Sequence, residues 1–205
     1  MKNKLICYLN FLFPDPKCEL NYNKDYELLI AVMLSAQTTD KRVNIVTKIL
    51  FDKYNSLKAL SEANISDLEG IVRPLGCYIR KSENIRQIAS KLLLVGNVPN
   101  DSNYLKSLPG IGIKTSNVIL NILYNYNNFA VDTHVKRVSI RLGIVNGDDE
   151  LIDIENKLLK YFKKDNINRI SLQFVLFGRY HCMARKPKCK NCELKEICKY
   201  KKRNE

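Results

Sequence analysis

Apolar side chains recur at three- and four-residue spacing along most of this chain, and two-residue alternation is nearly absent. The first spacing lines one face of an α-helix, whereas the second is what a half-buried strand needs, so the fold is expected to be all-α. Residues 26–36 are apolar almost all round, as in a helix with no face left to solvent. Residues 41–54 set Val43, Val46, Ile49 and Leu50 on one face, and residues 82–95 do the same with Ile85, Ile88, Ala89, Leu92 and Leu93. Residues 115–124 carry Val118, Ile119, Ile122 and Leu123, and residues 131–142 and 150–162 are also helical by period. Breaks fall at Pro14 and Pro16, Pro74 to Gly76, Gly96 to Asn100, Pro109 to Gly112 and Gly143 to Asp149. Roughly ten helices follow from this punctuation.

A chain of 205 residues, 45% of them hydrophobic, can bury a core as one domain or as two small ones. Its charge is less ordinary: 34 basic against 21 acidic side chains leave +13. Such a field draws polyanions, with nucleic acid first and an anionic membrane surface second. A lysine-rich composition is the plain alternative, since many lysines accompany Asn and Ile. The excess is uneven, with +7 of it lying between Arg179 and Glu205. The longest apolar run, Leu28–Leu34, is seven residues, against the roughly 20 that cross a bilayer. Lys2 and Lys4 precede a mostly apolar stretch, but Tyr8 and Asn10 interrupt it and Phe-Pro-Asp-Pro follows. That reads as an amphipathic helix, not a signal peptide, and places the protein inside the cell, in cytoplasm or nucleoid. Seven cysteines in a reducing compartment point to metal ligation and not to a disulfide framework.

Four of them, Cys182, Cys189, Cys192 and Cys198, are spaced C-x6-C-x2-C-x5-C. Four thiolates so close in sequence can wrap one centre, and soft ligands imply zinc or an iron–sulfur cluster. Zinc ribbons use two C-x-x-C knuckles, and only one exists here. Short loops winding around the site suit a larger cluster better, although spacing alone leaves zinc open. Cys7, Cys18 and Cys77 are scattered and read as small hydrophobes.

Leu108-Pro109-Gly110-Ile111-Gly112-Ile113-Lys114-Thr115 separates two helical patterns. Its glycines allow a tight turn, and the helix behind it opens with unpaired N–H groups at a positive dipole end. Such a hairpin can hold a phosphate with backbone donors. A dinucleotide fingerprint is excluded because position 115 is Thr and no strand precedes, and a P-loop because position 113 is Ile. A helix–hairpin–helix gripping a nucleic-acid backbone remains, beside a simple αα-turn. Lys114 falls in the first turn of the following helix. The dipole there favours a neutral amine, partial burial would act the same way, and a neutral amine is a nucleophile. A phosphate-contacting lysine is the commoner reading. Asp132, in Ala130-Val131-Asp132-Thr133-His134-Val135, is either a helix cap or a carboxylate that stabilises positive charge or accepts a proton.

Taken together, Leu-Pro-Gly-Ile-Gly-Ile-Lys-Thr, Val-Asp-Thr-His and the four-cysteine pattern resemble the endonuclease III family of helix–hairpin–helix DNA glycosylases. Leu34-Ser35-Ala36-Gln37-Thr38-Thr39-Asp40, Lys81-Ser82-Glu83-Asn84-Ile85 and Gly178-Arg179-Tyr180-His181-Cys182 extend the likeness from about residue 20 to 200. The resemblance implies an enzyme of base excision repair, a bifunctional DNA N-glycosylase and abasic-site lyase acting on oxidised pyrimidines. It implies Lys114 as nucleophile, Asp132 as catalytic carboxylate and the four cysteines as ligands of a [4Fe-4S] cluster. Gln37 matches the residue that fills the gap left by a flipped nucleotide, and Ser35 and His134 fall in the pocket. Further candidate DNA contacts are Cys77, Leu108, Gly110, Ile111, Gly112, Arg179, Arg185, Lys186 and Lys188. Two helical domains with a DNA-binding groove between them are implied. A six-helix domain would span 18–126, with its helix–hairpin–helix at about 102–121, and a cluster domain would join 1–17 to 127–205. The partner would be damaged double-stranded DNA, bound by a monomer away from any membrane. Two departures from the family pattern are Cys77, where a bulky apolar wedge is usual, and Lys106, where an acidic residue is usual. They leave room for a non-catalytic iron–sulfur DNA-binding module, and a monofunctional adenine-mismatch glycosylase, against which Lys114 speaks, is the other competing reading.

Overall fold

A computed structural model describes residues 1–200, so Lys201, Lys202 and Arg203, part of the basic C-terminal excess, lie outside the described residues. The described residues form α-helices and two single 3-10 turns, with no strand among them. The chain divides into two units, one from Cys18 to Tyr124 and one joining Met1–Lys17 to the chain from Asn125 onward.

The unit beginning at Cys18 contains α2 (Asp25–Leu34), α3 (Asp40–Lys53), α4 (Leu57–Ser61), α5 (Ile65–Val72), α6 (Tyr78–Val95), α7 (Ser102–Lys106) and α8 (Ile113–Tyr124). Two of these seven helices, α4 and α7, are short, and each forms behind a strong cap. Ser56 Oγ accepts from Ala59 N at 3.1 Å, and Asp101 Oδ1 from Asn103 N and Tyr104 N at 2.7 and 3.2 Å. Helix α2 is buried on every side, from Glu27 to Leu34. Glu27 keeps its carboxylate satisfied there by accepting from Asn23 N and Lys24 N. Helices α3, α6 and α8 bury a stripe against it, while α4 and α5 pack on α6 and α7 packs on α8. Two expected core residues lie outside that stripe: Ile49 is 54% exposed and Leu93 49%. Each sits about 100° around its helix from a buried neighbour, Leu50 or Leu92, so a stripe drawn one residue too wide took in the solvent side.

The second unit contains α1 (Lys2–Leu12), α9 (Thr133–Leu142), α10 (Leu151–Tyr161) and α11 (Ile167–Tyr180). Phe129, Phe162 and Phe174 form its centre, with ring centroids 5.6–6.0 Å apart. The N-terminal segment is an amphipathic helix that buries Leu5, Tyr8 and Leu9 in this core. Buried Gln173 on α11 fixes its end by donating to Asn10 Oδ1 and Phe13 O at 2.9 and 3.0 Å. Among the described residues no helix is long and apolar enough to cross a membrane.

Candidate active site

The hairpin follows from its own residues. Leu108 O accepts from Ile111 N at 3.2 Å across Pro109 and Gly110, and Gly110 has φ +77°. Proline then glycine at the two central positions, with positive φ at the second, makes a type II turn. Leu108 and Ile111 are buried at 2% and 5% exposure. Their side chains anchor the hairpin in the core, so these two candidate contacts can offer DNA only backbone. Gly110 and Gly112 are exposed. Ser102 Oγ on α7 lies 3.4 Å from Ser116 Oγ on α8, tying the two helices behind the turn. Lys114 lies in the first turn of α8 and is exposed. It faces away from buried Ser116 of the same turn, and its neighbour Ile113 is also 62% exposed. Lys106 is exposed at the end of α7.

Two other turns of this unit carry candidate residues. Gln37 and Cys77 are both exposed, and both hold the left-handed backbone, with φ +61° and +48°. Ser35, at the end of α2, is half-buried and donates its hydroxyl to Val32 O at 2.7 Å.

In the second unit Asp132 is a helix cap. Its Oδ1 accepts from His134 N and Val135 N, both at 2.8 Å, which satisfies the first turn of α9. Both bonds use one oxygen, so the cap leaves Oδ2 outside it. Gly178 on α11 lets α9 approach closely: a Cβ there would lie 2.7 Å from His134 Cβ. Burial pushes the His134 imidazole below its ordinary value, and its Nδ1 accepts from Arg137 Nη2 at 3.2 Å. Arg137 also donates to Gly178 O and Cys182 O at 2.6 and 3.2 Å. Arg179 is half-exposed, and Arg185, Lys186 and Lys188 are exposed in the loop beyond α11.

Cys182, Cys189, Cys192 and Cys198 line one pocket together with Leu142, Phe177, His181, Leu194 and Tyr200. Arg141, 8% exposed, binds the loop from beneath. It donates to Cys182 Sγ at 3.3 Å, Met183 O at 2.7 Å and Ala184 O at 3.3 Å, and its guanidinium stacks 4.0 Å from the Tyr200 ring. Tyr200 N donates to Cys198 Sγ at 3.5 Å. Burial pushes the Cys182 and Cys192 thiols up, so these two call for a cationic centre to deprotonate them. Among the described residues no three His, Cys, Asp or Glu side chains converge tightly enough for a single metal ion. Four sulfur donors around one pocket are a ligand set that suits a soft metal centre.

Residues 30–164 match the HhH-GPD superfamily of base excision DNA repair proteins. The chain belongs to this superfamily. Its HhH-GPD relatives include endonuclease III of Bacillus subtilis (strain 168), 39% identical over 191 residues, or 92% of this chain and 87% of the relative. A solved non-covalent endonuclease III–DNA complex superposes with a TM-score of 0.91 at 40% identity, covering 96% of this chain and 92% of the other. A trapped endonuclease III–DNA covalent intermediate gives 0.89 at 40% identity, covering 95% and 94%. The all-helical HhH-GPD fold is therefore the fold of this chain.

Three residues with structural roles were not singled out in the sequence. Arg137 and Arg141 stand one helical turn apart and reach the cysteine loop, and the signal for them was their spacing on a helix opening with Val-Asp-Thr-His. The third, Lys81, lies inside a quoted motif, but nothing in its type announced that it would be buried.

Proposed function

We propose that this chain is a bifunctional DNA N-glycosylase and abasic-site lyase that removes oxidised pyrimidines from double-stranded DNA, with Lys114 as nucleophile. The likeness to the trapped endonuclease III–DNA covalent intermediate supports this most, because trapping requires a nucleophile of the protein on the DNA. Lys114 suits that part: it is an exposed amine in the first helical turn behind the hairpin. The hairpin backbone, with Gly110 and Gly112 at its surface, holds a phosphate, and Arg179, Arg185, Lys186 and Lys188 add positive charge. The damaged nucleotide leaves the stack, Gln37 fills the gap and Cys77 wedges beside it. Ser35 and His134 serve the extruded base.

The Lys114 amine attacks C1′ of the deoxyribose, the C1′–base bond breaks, and the base departs with the electron pair. The amine proton is lost and the ring opens to an imine joining Lys114 to C1′. Loss of a C2′ proton then drives β-elimination, which breaks the bond to the 3′ phosphate. Asp132, a carboxylate held by its capping bonds, opposes the positive charge that builds on the sugar and the amine. The four cysteines would hold a [4Fe-4S] cluster. When bound, that group supplies the cation the thiolates need and folds the basic loop; the steps above use the chain's own side chains.

Borohydride trapping on abasic duplex tests the nucleophile. Wild type should become covalently joined to the DNA, and Lys114→Ala should not. Efficient trapping by Lys114→Ala would remove Lys114 from the role. Retardation of the duplex by wild type without any nicking would make the chain a non-catalytic module instead.

A further inference from the structure

Helix α6 buries a lysine in its first turn. Lys81 is 6% exposed, and its ammonium donates to Ala36 O and to Leu75 O, each at 3.0 Å. These are neutral acceptors. A cation at a helix N-terminus meets the positive end of the dipole, and burial pushes this ammonium below the ordinary lysine range. Stability alone gives little reason for a charge in such a place.

The two carbonyls explain the placement. Ala36 immediately precedes Gln37, so its carbonyl lies in the peptide plane about which Gln37 adopts φ +61°. Leu75 precedes Gly76 and Cys77, and both of these also have positive φ, +70° and +48°. A residue with a β-carbon in the left-handed region persists only where its surroundings over-determine it. One ammonium supplies that constraint to both turns at once. Of the non-glycine residues described at positive φ, the only others are Asn125 and Lys186, in the other unit.

We infer that Lys81 is a positioning residue: its ammonium ties the Gln37 turn to the Cys77 turn and so fixes together the two side chains that enter the duplex. The inference rests on the reading of Gln37 and Cys77 given above. Lys81 touches neither DNA nor the reacting atoms. It acts on the step that extrudes the nucleotide and holds the opposite strand, not on the covalent chemistry of Lys114.

The test compares Lys81→Met, which keeps length but cannot donate, with Lys81→Arg, which can. Single-turnover rates are measured on duplex containing thymine glycol opposite adenine or guanine, and on a single-stranded oligonucleotide with an abasic site, which needs no extrusion. Lys81→Met should slow duplex excision by about tenfold and narrow the difference between opposite bases, while single-strand nicking stays within about twofold. Lys81→Arg should restore most of the duplex rate. In a Gln37→Ala background, Lys81→Met should slow the duplex reaction by less than about threefold further, because coupled residues do not add. Equal losses on both substrates, no loss on either, or a full additional loss in the Gln37→Ala background would each overturn the inference. If Gln37→Ala is itself without effect on duplex, the reading of Gln37 fails and the inference fails with it. If Gln37→Ala slows the duplex reaction and Lys81→Met does not, only the role of Lys81 is lost.

Discussion

Gly110→Ala should destabilise the protein where Gly112→Ala, two residues away in the same hairpin, does not. At Gly110 φ is +77°, and an added Cβ would lie 2.6 Å from Asn84 Nδ2 and 3.2 Å from Met33 Cγ. A left-handed L-residue costs about 1–2 kcal/mol. Forcing aside Asn84 and Met33, 9% and 3% exposed, is overpacking, and that costs about 1–3 kcal/mol. The lower entropy of the unfolded chain offsets about 0.4–1 kcal/mol. The net loss is about 1–4.5 kcal/mol. At Gly112 nothing lies within 4 Å of the added Cβ and φ is ordinary, so its stability should hold within about 0.5 kcal/mol. Urea unfolding followed by far-ultraviolet circular dichroism reads the difference: for a slope of about 2 kcal/mol/M, the Gly110→Ala midpoint falls by about 0.5–2 M. Gly112→Ala should keep its midpoint and bind duplex DNA more weakly, because its methyl stands at the surface where a phosphate would approach. Equal midpoints for the two variants would refute both the turn geometry and its packing on Asn84.

Asp132→Ala should lose the cap, about 1 kcal/mol of stability, together with activity, whereas Asp132→Asn keeps a good capping side chain and should lose activity with little change in melting temperature; a fully active Asp132→Asn would leave Asp132 a cap alone. Stability should also fall on acidification near His134. Its folded pKa is depressed by burial, so below the ordinary histidine value the unfolded chain binds the proton first and gains. The loss begins as pH falls through about 6.5 and should diminish in His134→Gln, as urea midpoints at several pH values would show; an unchanged pH slope in that variant would contradict the buried, neutral imidazole.

The helical class was legible because apolar spacing is local. So was the start of α9, since Asp132 bonds amides within three residues, whereas the starts of α4, α5, α7 and α11 went unread although Ser56, Asn64, Asp101 and Asn166 cap them in the same way. The type II turn needed only Pro109 and Gly110 in order. The order of motifs likewise carried the family, because each motif is short and self-contained. Tertiary structure decided the rest, because it depends on which distant atoms fill a space. Ile49 and Leu93 face solvent for lack of a neighbour to cover them, and Lys114 is exposed because it lies on the side of the first turn of α8 away from buried Ser116. Arg141 is held by a loop some forty residues away, at Cys182 and Met183. Lys81 shows the distinction most sharply. By type it is a surface residue, and only the arrival of Ala36 and Leu75 on either side of its ammonium makes it part of the core.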